Sequence, residues 1–339
     1  ECMSLSQEGY DTYLVVKGNS CEKNGVHVVG CGESKGRFWR MLFFAGKIYR
    51  EAIKLDCDIY HFHDPELLGY GLRLKKRGKK VIFDSHEDVP AQILDKEWIP
   101  MLLRKMISGC YRLYETYVVK RIDAVVAATP HIGRQFEGRA RKITVVNNYP
   151  RLDDIVFHTN SFEEREAIVC YAGGISEIRG EKVMIEAMRD LDGILVLAGE
   201  HEKMQLGGVK YLGQIDRNGI NRLYGQAVAG LSLLLPAKNY INSLPIKMFE
   251  YMAAGLPFVA SDFSLWSEIV NRHGCGFCIP VDDRERIEKA ILFLLTNRKE
   301  AERMGKRGRK AVEDEYNWGI ESIKLFRLYR DILSELQCQ

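Results

Sequence analysis

The stretch "NYINSLPIKMFEYMAAGLPFVASD", residues 239–262, opens polar, passes a proline and becomes an apolar helix that stops at a glycine. A buried-looking strand, "GLSLLLP", precedes it, and another, "PFVASD", closes it. A strand, a helix and a second apolar strand in succession predict a parallel sheet with helices on its faces. One feature departs from a plain core helix. Lys247 and Glu250 sit one turn apart within it.

The same rhythm extends outward. "AIVCYAGG", "GILVLAGE" and "VKYLGQI" read as further strands of the second half. "YDTYLVVKG", "VHVVG", "CDIYHFHD", "KKVIFDSHED", "AVVAATP" and "ITVVNN" read as strands of the first. Amphipathic helical patterns lie between most of them. The chain has 339 residues, too many for one ordinary core, so two doubly wound domains are expected. The polar stretch "YPRLDDIVFHTNSFEERE", residues 149–166, separates the two strand series, and "NWGIESIKLFRLYRDILSEL" reads as one terminal amphipathic helix. The expected boundaries are 1–155, 166–317 and a helix over 318–339. The first series opens on a helix end, "ECMSLSQEGY", where a doubly wound domain begins with a strand. The pattern therefore predicts a chain without its opening strand.

Composition excludes several classes. At 46% hydrophobic and 28% charged the chain is globular rather than disordered. A net charge of +3 argues against a nucleic-acid partner. No apolar run reaches membrane-spanning length. The 9 cysteines are scattered and odd in number. Cys275 and Cys278 form a C-x-x-C without a second pair, so reduced thiols in a cytoplasmic protein are expected.

Open parallel sheets bind ligands at the C-terminal ends of their strands. Three strand ends of the second half carry suitable residues. Gly173 and Gly174 allow close backbone approach, and Arg179 beyond them offers a guanidinium fork for phosphate. Ser243 is expected to cap the helix that follows, with Pro245 in its first turn and free N–H groups for an anion. Lys247 would reinforce a diphosphate there, and Glu250 suits the paired hydroxyls of a ribose. A surface ion pair between Lys247 and Glu250 is the plain alternative, worth only ~0.3–0.5 kcal/mol. Gly213, in "VKYLGQIDRNG", can expose backbone to a nucleobase.

In the first half, His61 and His63 stand two apart on one strand, and His86 follows another. Three readings stand: a metal site completed by Asp64 or Asp88, polar strand ends with a core histidine, and a metal-free role in a cleft. The last is the expectation, with His63, Asp64 and Asp88 lining the cleft and no metal.

Taken in order, these residues resemble the retaining glycosyltransferases of family four, over nearly the whole chain. The resemblance implies an α/β GT-B fold: two doubly wound Rossmann-like domains facing a central cleft, with the terminal helix crossing back to the first. Glu250 matches the second glutamate of the family's E-x7-E motif, and "YMAAGLPFVASD" follows it as in the family. Asn242 stands at the first glutamate position, which removes a charge. Arg179 stands where the family has its phosphate-binding lysine, and Gly174 where it has an arginine. Lys247 is expected to restore that charge. His86 matches the histidine that faces the sugar. "RLDDIVF" falls at the interdomain crossing, and relatives carry an opening strand and loop ahead of "ECMSLSQEGYDTYLVV".

The implied activity moves a sugar from a nucleoside-diphosphate sugar, a UDP- or GDP-sugar, to an acceptor hydroxyl with retention. The setting is assembly of bacterial cell-surface polysaccharide. Catalysis would fall to His86, Arg179, Lys247 and Glu250, and donor binding to Gly173, Gly174, Gly213, Asn242, Ser243 and Leu244. No cofactor is required. The implied acceptor is a lipid-linked glycan at the inner membrane surface. Basic clusters "RLKKRGKK", "RARK" and "KRGRK", and the mixed helix "EWIPMLLRKMISGCYRLYETYVVKR", are where such a membrane contact would form. A sugar-nucleotide epimerase or hydrolase of the same fold, and a non-catalytic binding protein, are the competing readings.

Overall fold

The computed structural model describes residues 1–33, 44–96, 98–201 and 204–337. Glu97, within the mixed helical segment, lies outside the described residues. Two compact units form, one from residues 1–147 with 321–339, the other from 148–320.

In the first unit, β1 (Thr12–Val16) runs parallel to β3 (Val26–Gly30), and β2 (Cys21–Lys23) pairs antiparallel with β3. A separate sheet holds β4 (Ile59–Phe62), β5 (Lys80–Ser85), β6 (Ala124–Ala127) and β7 (Ile143–Val145), side by side and all parallel. The alternating pattern led us to expect one sheet, but no described strand lies between β1 and β4 to join the two. β5 is buried along its whole length, as "KVIFDS" packs both faces. Phe83 stacks on Phe62 at 5.3 Å and meets Phe136 edge-on. Asp123 is nearly buried, yet it accepts the Val81 N–H at 2.7 Å and Lys75 at 2.8 Å, so its charge is compensated. The helix Trp318–Gln337 joins this unit through Glu321, which accepts the Asn147 N–H at 2.8 Å, and Tyr329, whose hydroxyl lies 2.9 Å from His61 Nδ1.

The second unit is one seven-stranded sheet. Its strands are β8 (Ile168–Ala172), β9 (Ile194–Ala198), β10 (Met204–Leu206), β11 (Val209–Tyr211), β12 (Ala229–Ser232), β13 (Phe258–Ser261) and β14 (Gly276–Ile279). The order is β10-β11-β9-β8-β12-β13-β14, parallel throughout except for the edge strand β10. The chain leaves β8 toward β9 on one side and returns to β12 on the other. The strand order therefore reverses between β8 and β12, where open parallel sheets hold their ligands.

The helix Ile246–Ala254 follows β12, with Met248 through Ala254 all buried. It ends where Gly255 adopts φ 69°, a left-handed cap that glycine enters without strain. Tyr251 anchors it by donating to the Leu231 carbonyl at 2.9 Å, and its ring lies over Gly230. The segment 149–166 packs here as well: Tyr149 meets Phe249 at 4.6 Å, and Ile155 and Phe162 enter the core.

Candidate functional site

The loops after β8 and β12 meet at the reversal of the sheet. Leu235 N–H donates to the Ile178 carbonyl at 3.0 Å. Between them Gly180 takes φ 81°, and a Cβ there would collide with the Leu233 carbonyl, so the close approach requires glycine. Gly173 and Gly174 bring two cations together. A Cβ on Gly173 would lie 2.7 Å from Lys247 Cε, and one on Gly174 would collide with the Arg179 guanidinium. Tyr171 fixes the loop by donating to the Gly174 carbonyl at 2.9 Å. The tyrosines at 240 and 171 beside Arg179 hold its guanidinium pKa up, against the effect of partial burial.

Glu250 is 4% exposed, which rules out the surface ion pair. Its carboxylate accepts from Arg217 at 2.7 Å on one oxygen, and from Lys247 at 3.3 Å and Tyr224 at 3.3 Å on the other. A carboxylate has about four acceptor sites, so three donors leave room for one more. Arg217 escaped the sequence reading. It opens the helix Arg217–Gln226 directly after its capping residue Asp216, and that helix start was the available signal.

Two expectations need correction. Ser243 does not cap the helix Ile246–Ala254. Pro245 is the residue at the cap, and no side chain caps it. Ser243 sits two residues too early, and its hydroxyl turns back to the Tyr240 carbonyl at 3.1 Å. Its own carbonyl accepts the Trp266 indole at 2.6 Å. The uncapped N-terminus keeps its N–H groups for an anion beside Lys247. Gly213 takes φ 69°, but its carbonyl already accepts the Gly199 N–H at 2.9 Å. Asn242 is exposed at the end of the helix Lys238–Ile241, and Leu244 is half-buried.

In the first unit, His63 and His86 come together at the ends of β4 and β5. His63 Nδ1 lies 2.9 Å from His86 Nε2, and the rings stack at 5.2 Å. Both face Asp84, which is 1% exposed, at 3.4 and 3.3 Å. Burial pushes Asp84 up, but His61 and His63 outweigh it and hold its carboxyl well below the usual range. Burial pushes His63 down, but Asp84 outweighs that and raises it. Asp64 and Asp88 stand outside this cluster. Asp64 is exposed, and Asp88 caps the helix Val89–Leu94 through the Ala91 N–H at 3.0 Å. A cavity of about 350 Å³ opens nearby in the same unit, lined by Asp88, Ser108, Arg112, Glu115 and Arg139 among others.

The basic clusters are largely answered within the chain. Lys75 and Lys80 reach Asp123, Arg139 reaches Glu115, and Lys306 and Arg309 pair along their helix. Cys275 and Cys278 are free thiols whose pKa values burial pushes up to about 12 and about 11, as inert structural cysteines have.

Residues 154–311 match the family described as glycosyl transferases group 1, and residues 2–149 match glycosyltransferase family 4. The chain belongs to this glycosyltransferase family. It is similar to the phosphatidyl-myo-inositol mannosyltransferase of Mycobacterium leprae, 26% identical over 54% of this chain and 48% of that protein. The Mycolicibacterium smegmatis counterpart is 21% identical over 84% of this chain and 74% of its own length. The chain thus spans about half the length of the first relative and three quarters of the second. Among solved structures, sucrose-phosphate synthase from Thermosynechococcus elongatus superposes with a TM-score of 0.77 at 16% identity, covering 98% of this chain and 92% of that one. Anabaena HepE in complex with UDP and glucose gives 0.68 at 12% identity, over 91% and 87%. At these identities the likeness establishes the fold, and the fold is GT-B.

Proposed function

We propose that the second unit binds a nucleoside-diphosphate sugar at the β8–β12 reversal, and that the chain transfers the sugar to an acceptor hydroxyl with retention. The observation that carries this reading is the pair of glycines flanked by Lys247 and Arg179, beside an uncapped helix N-terminus that holds buried Glu250. Glu250 accepts one ribose hydroxyl through its remaining acceptor site. Lys247, Arg179 and the helix N–H groups hold the diphosphate and stabilise the charge that grows on it as the glycosidic bond breaks. The leaving phosphate takes the acceptor's proton, so no side-chain nucleophile is needed. His86 contributes a hydrogen bond to the sugar. The HepE complex with UDP and glucose supports this choice of donor class, and the mannosyltransferase relatives support a sugar as the group transferred.

The acceptor we propose is lipid-linked, met at an anionic membrane surface in the assembly of cell-surface polysaccharide. Leu102, Met106, Leu113 and Tyr117 lie on one stripe of the helix Met101–Val119 and are exposed, with Leu102 at 81% and Leu113 at 74%. Trp98 and Met101 are exposed as well, and Lys105 and Arg112 run along one side of the stripe. Apolar residues framed by cations suit an interfacial helix. Lys105, Arg112 and Arg139 also line the cavity beneath, where an anionic head group would find partners. No described helix is long and apolar enough to cross a membrane.

Product analysis tests the reaction. A labelled donor is incubated with and without a membrane extract rich in lipid-linked glycans. Label passing into the lipid fraction with its anomeric configuration retained is the expected result. Release of free sugar at the same rate without acceptor would mark a hydrolase instead.

A further inference from the structure

We propose that Glu1, His61, His63 and Asp84 form a binding site for one divalent transition-metal cation of the zinc type. Each residue offers one ligand atom, and these atoms all lie within 4.8 Å of one another. The backbone explains the convergence. β4 and β5 are parallel with Phe62 opposite Phe83, so the next pair in register is His63 and Asp84. His61 stands two residues before His63 on the same face. Their rings stack at 5.1 Å.

The second observation is a buried carboxylate without a hydrogen bond. Asp84 is 1% exposed, and neither of its oxygens has a hydrogen-bond partner among the described residues. His61 Nε2 is equally unpartnered, although it lies 3.5 Å from an Asp84 oxygen. The other His61 nitrogen is 2.9 Å from the Tyr329 hydroxyl. With its proton directed to Tyr329, His61 presents a lone pair to a carboxylate in a buried place. In that tautomer the two face each other as acceptors, and the carboxylate has His63 and His86 nitrogens at 3.4 and 3.3 Å but no hydrogen bond, which is costly in a buried place. A cation between them removes both problems. A ring nitrogen tied down by an outer partner is also how metal-bound histidines are oriented.

The spacing fits. Ligands about 2.0–2.1 Å from a tetrahedral zinc lie roughly 3.3–3.4 Å from one another. His61 Nε2 and His63 Nδ1 stand 3.5 and 3.4 Å from one Asp84 oxygen, too poorly directed for hydrogen bonds but close to that ligand spacing, and His63 Nδ1 would exchange its contact with His86 for the metal. Glu1 is wider: its 3.8 Å approach is to Nε2 of His63, not to the Nδ1 that faces Asp84, and it joins the set within the 4.8 Å span by a side-chain rotation. His86, held by His63 at 2.9 Å, lies just outside the set. Imidazole and carboxylate donors without thiolate select zinc and its neighbours over magnesium or calcium. The carboxylate that completes the set is Asp84, rather than Asp64 or Asp88. All four ligands belong to the first unit, so metal binding can be measured without any nucleotide.

The test uses the full chain, stripped with a chelator and then dialysed against Zn2+, with Mg2+ as control. Metal content and melting temperature are measured for the wild type, His63→Gln and Asp84→Asn. We expect one zinc per chain, a melting temperature raised by Zn2+ and unmoved by Mg2+, and affinity at least roughly tenfold weaker in both variants. Asp84 is buried, so its variant risks misfolding. His63 is half exposed, and its variant keeps the test decisive. Co2+ in place of zinc should give visible absorption without a thiolate charge-transfer band. No zinc bound at micromolar concentration, equal binding by folded His63→Gln, or a thiolate band would overturn the site.

Discussion

Glu250 binds three donors of its own chain while keeping an acceptor site, and that arrangement gives residue-scale predictions. Glu250→Gln keeps the volume and removes the charge. Hydrogen bonds to charged groups are worth about 1.5–3 kcal/mol, so nucleoside-diphosphate affinity should fall roughly 10–100-fold by calorimetry. Arg217 is half exposed but its partner Glu250 is buried, so removing the guanidinium withdraws one of three donors from a buried carboxylate, at a cost of about 1–3 kcal/mol. Arg217→Ala should therefore lower the melting temperature modestly while loosening Glu250, with affinity down several-fold. An Arg217→Ala chain with wild-type affinity would remove its positioning role. Lys247 and Glu250 were legible because helical spacing puts them on one face. Arg217 was not, because its contact with Glu250 joins two helices distant in sequence. Asp84 was hidden for another reason. It sits inside an apolar strand, and only the register of β4 against β5 brings it to the histidines.

At the scale of elements, the loop after β8 depends on Gly180. A left-handed non-glycine residue costs about 1–2 kcal/mol, and the Leu233 carbonyl adds a clash that backbone cannot easily relieve. Gly180→Ala should lower the melting temperature by several degrees. An unchanged melting curve would show that the loops are not packed as described. Gly174→Ala differs, because it meets only the movable end of Arg179. It should spare stability and weaken diphosphate binding. The helix Met101–Val119 carries its own prediction. Leu102→Glu with Leu113→Glu should abolish co-sedimentation with anionic vesicles without loss of stability, since both side chains are exposed. Eleven strands could be read from their apolar or alternating runs. β2, β10 and β14 could not: "CEK" and "MQL" are short and carry polar residues, and "GFCI" opens on a glycine. The Ser243 cap failed because composition does not fix a cap to within two residues.

At the scale of the molecule, alternation of strand and helix was enough to anticipate parallel sheets, while the GT-B class rested on the resemblance to the family-four glycosyltransferases. It did not anticipate that the first unit's strands divide between two sheets, because pairing is decided by which edges meet. The order of the second sheet matters most for function. It places the β8 and β12 loops together, so one end of the sheet holds Gly173, Gly174, Arg179, Lys247 and Glu250.

The central claim is that this end of the sheet is a nucleoside-diphosphate site. The most direct measurement is a melting-temperature panel of the full chain with UDP, GDP, ADP, dTDP and their sugars. A ligand that binds only the folded state at a hundredfold excess over its Kd stabilises by about 2.7 kcal/mol. The account predicts a rise with the diphosphates of one base, sharply reduced in Glu250→Gln and in Lys247→Ala. Folded protein that no nucleotide shifts, or a shift that both variants keep in full, would contradict it.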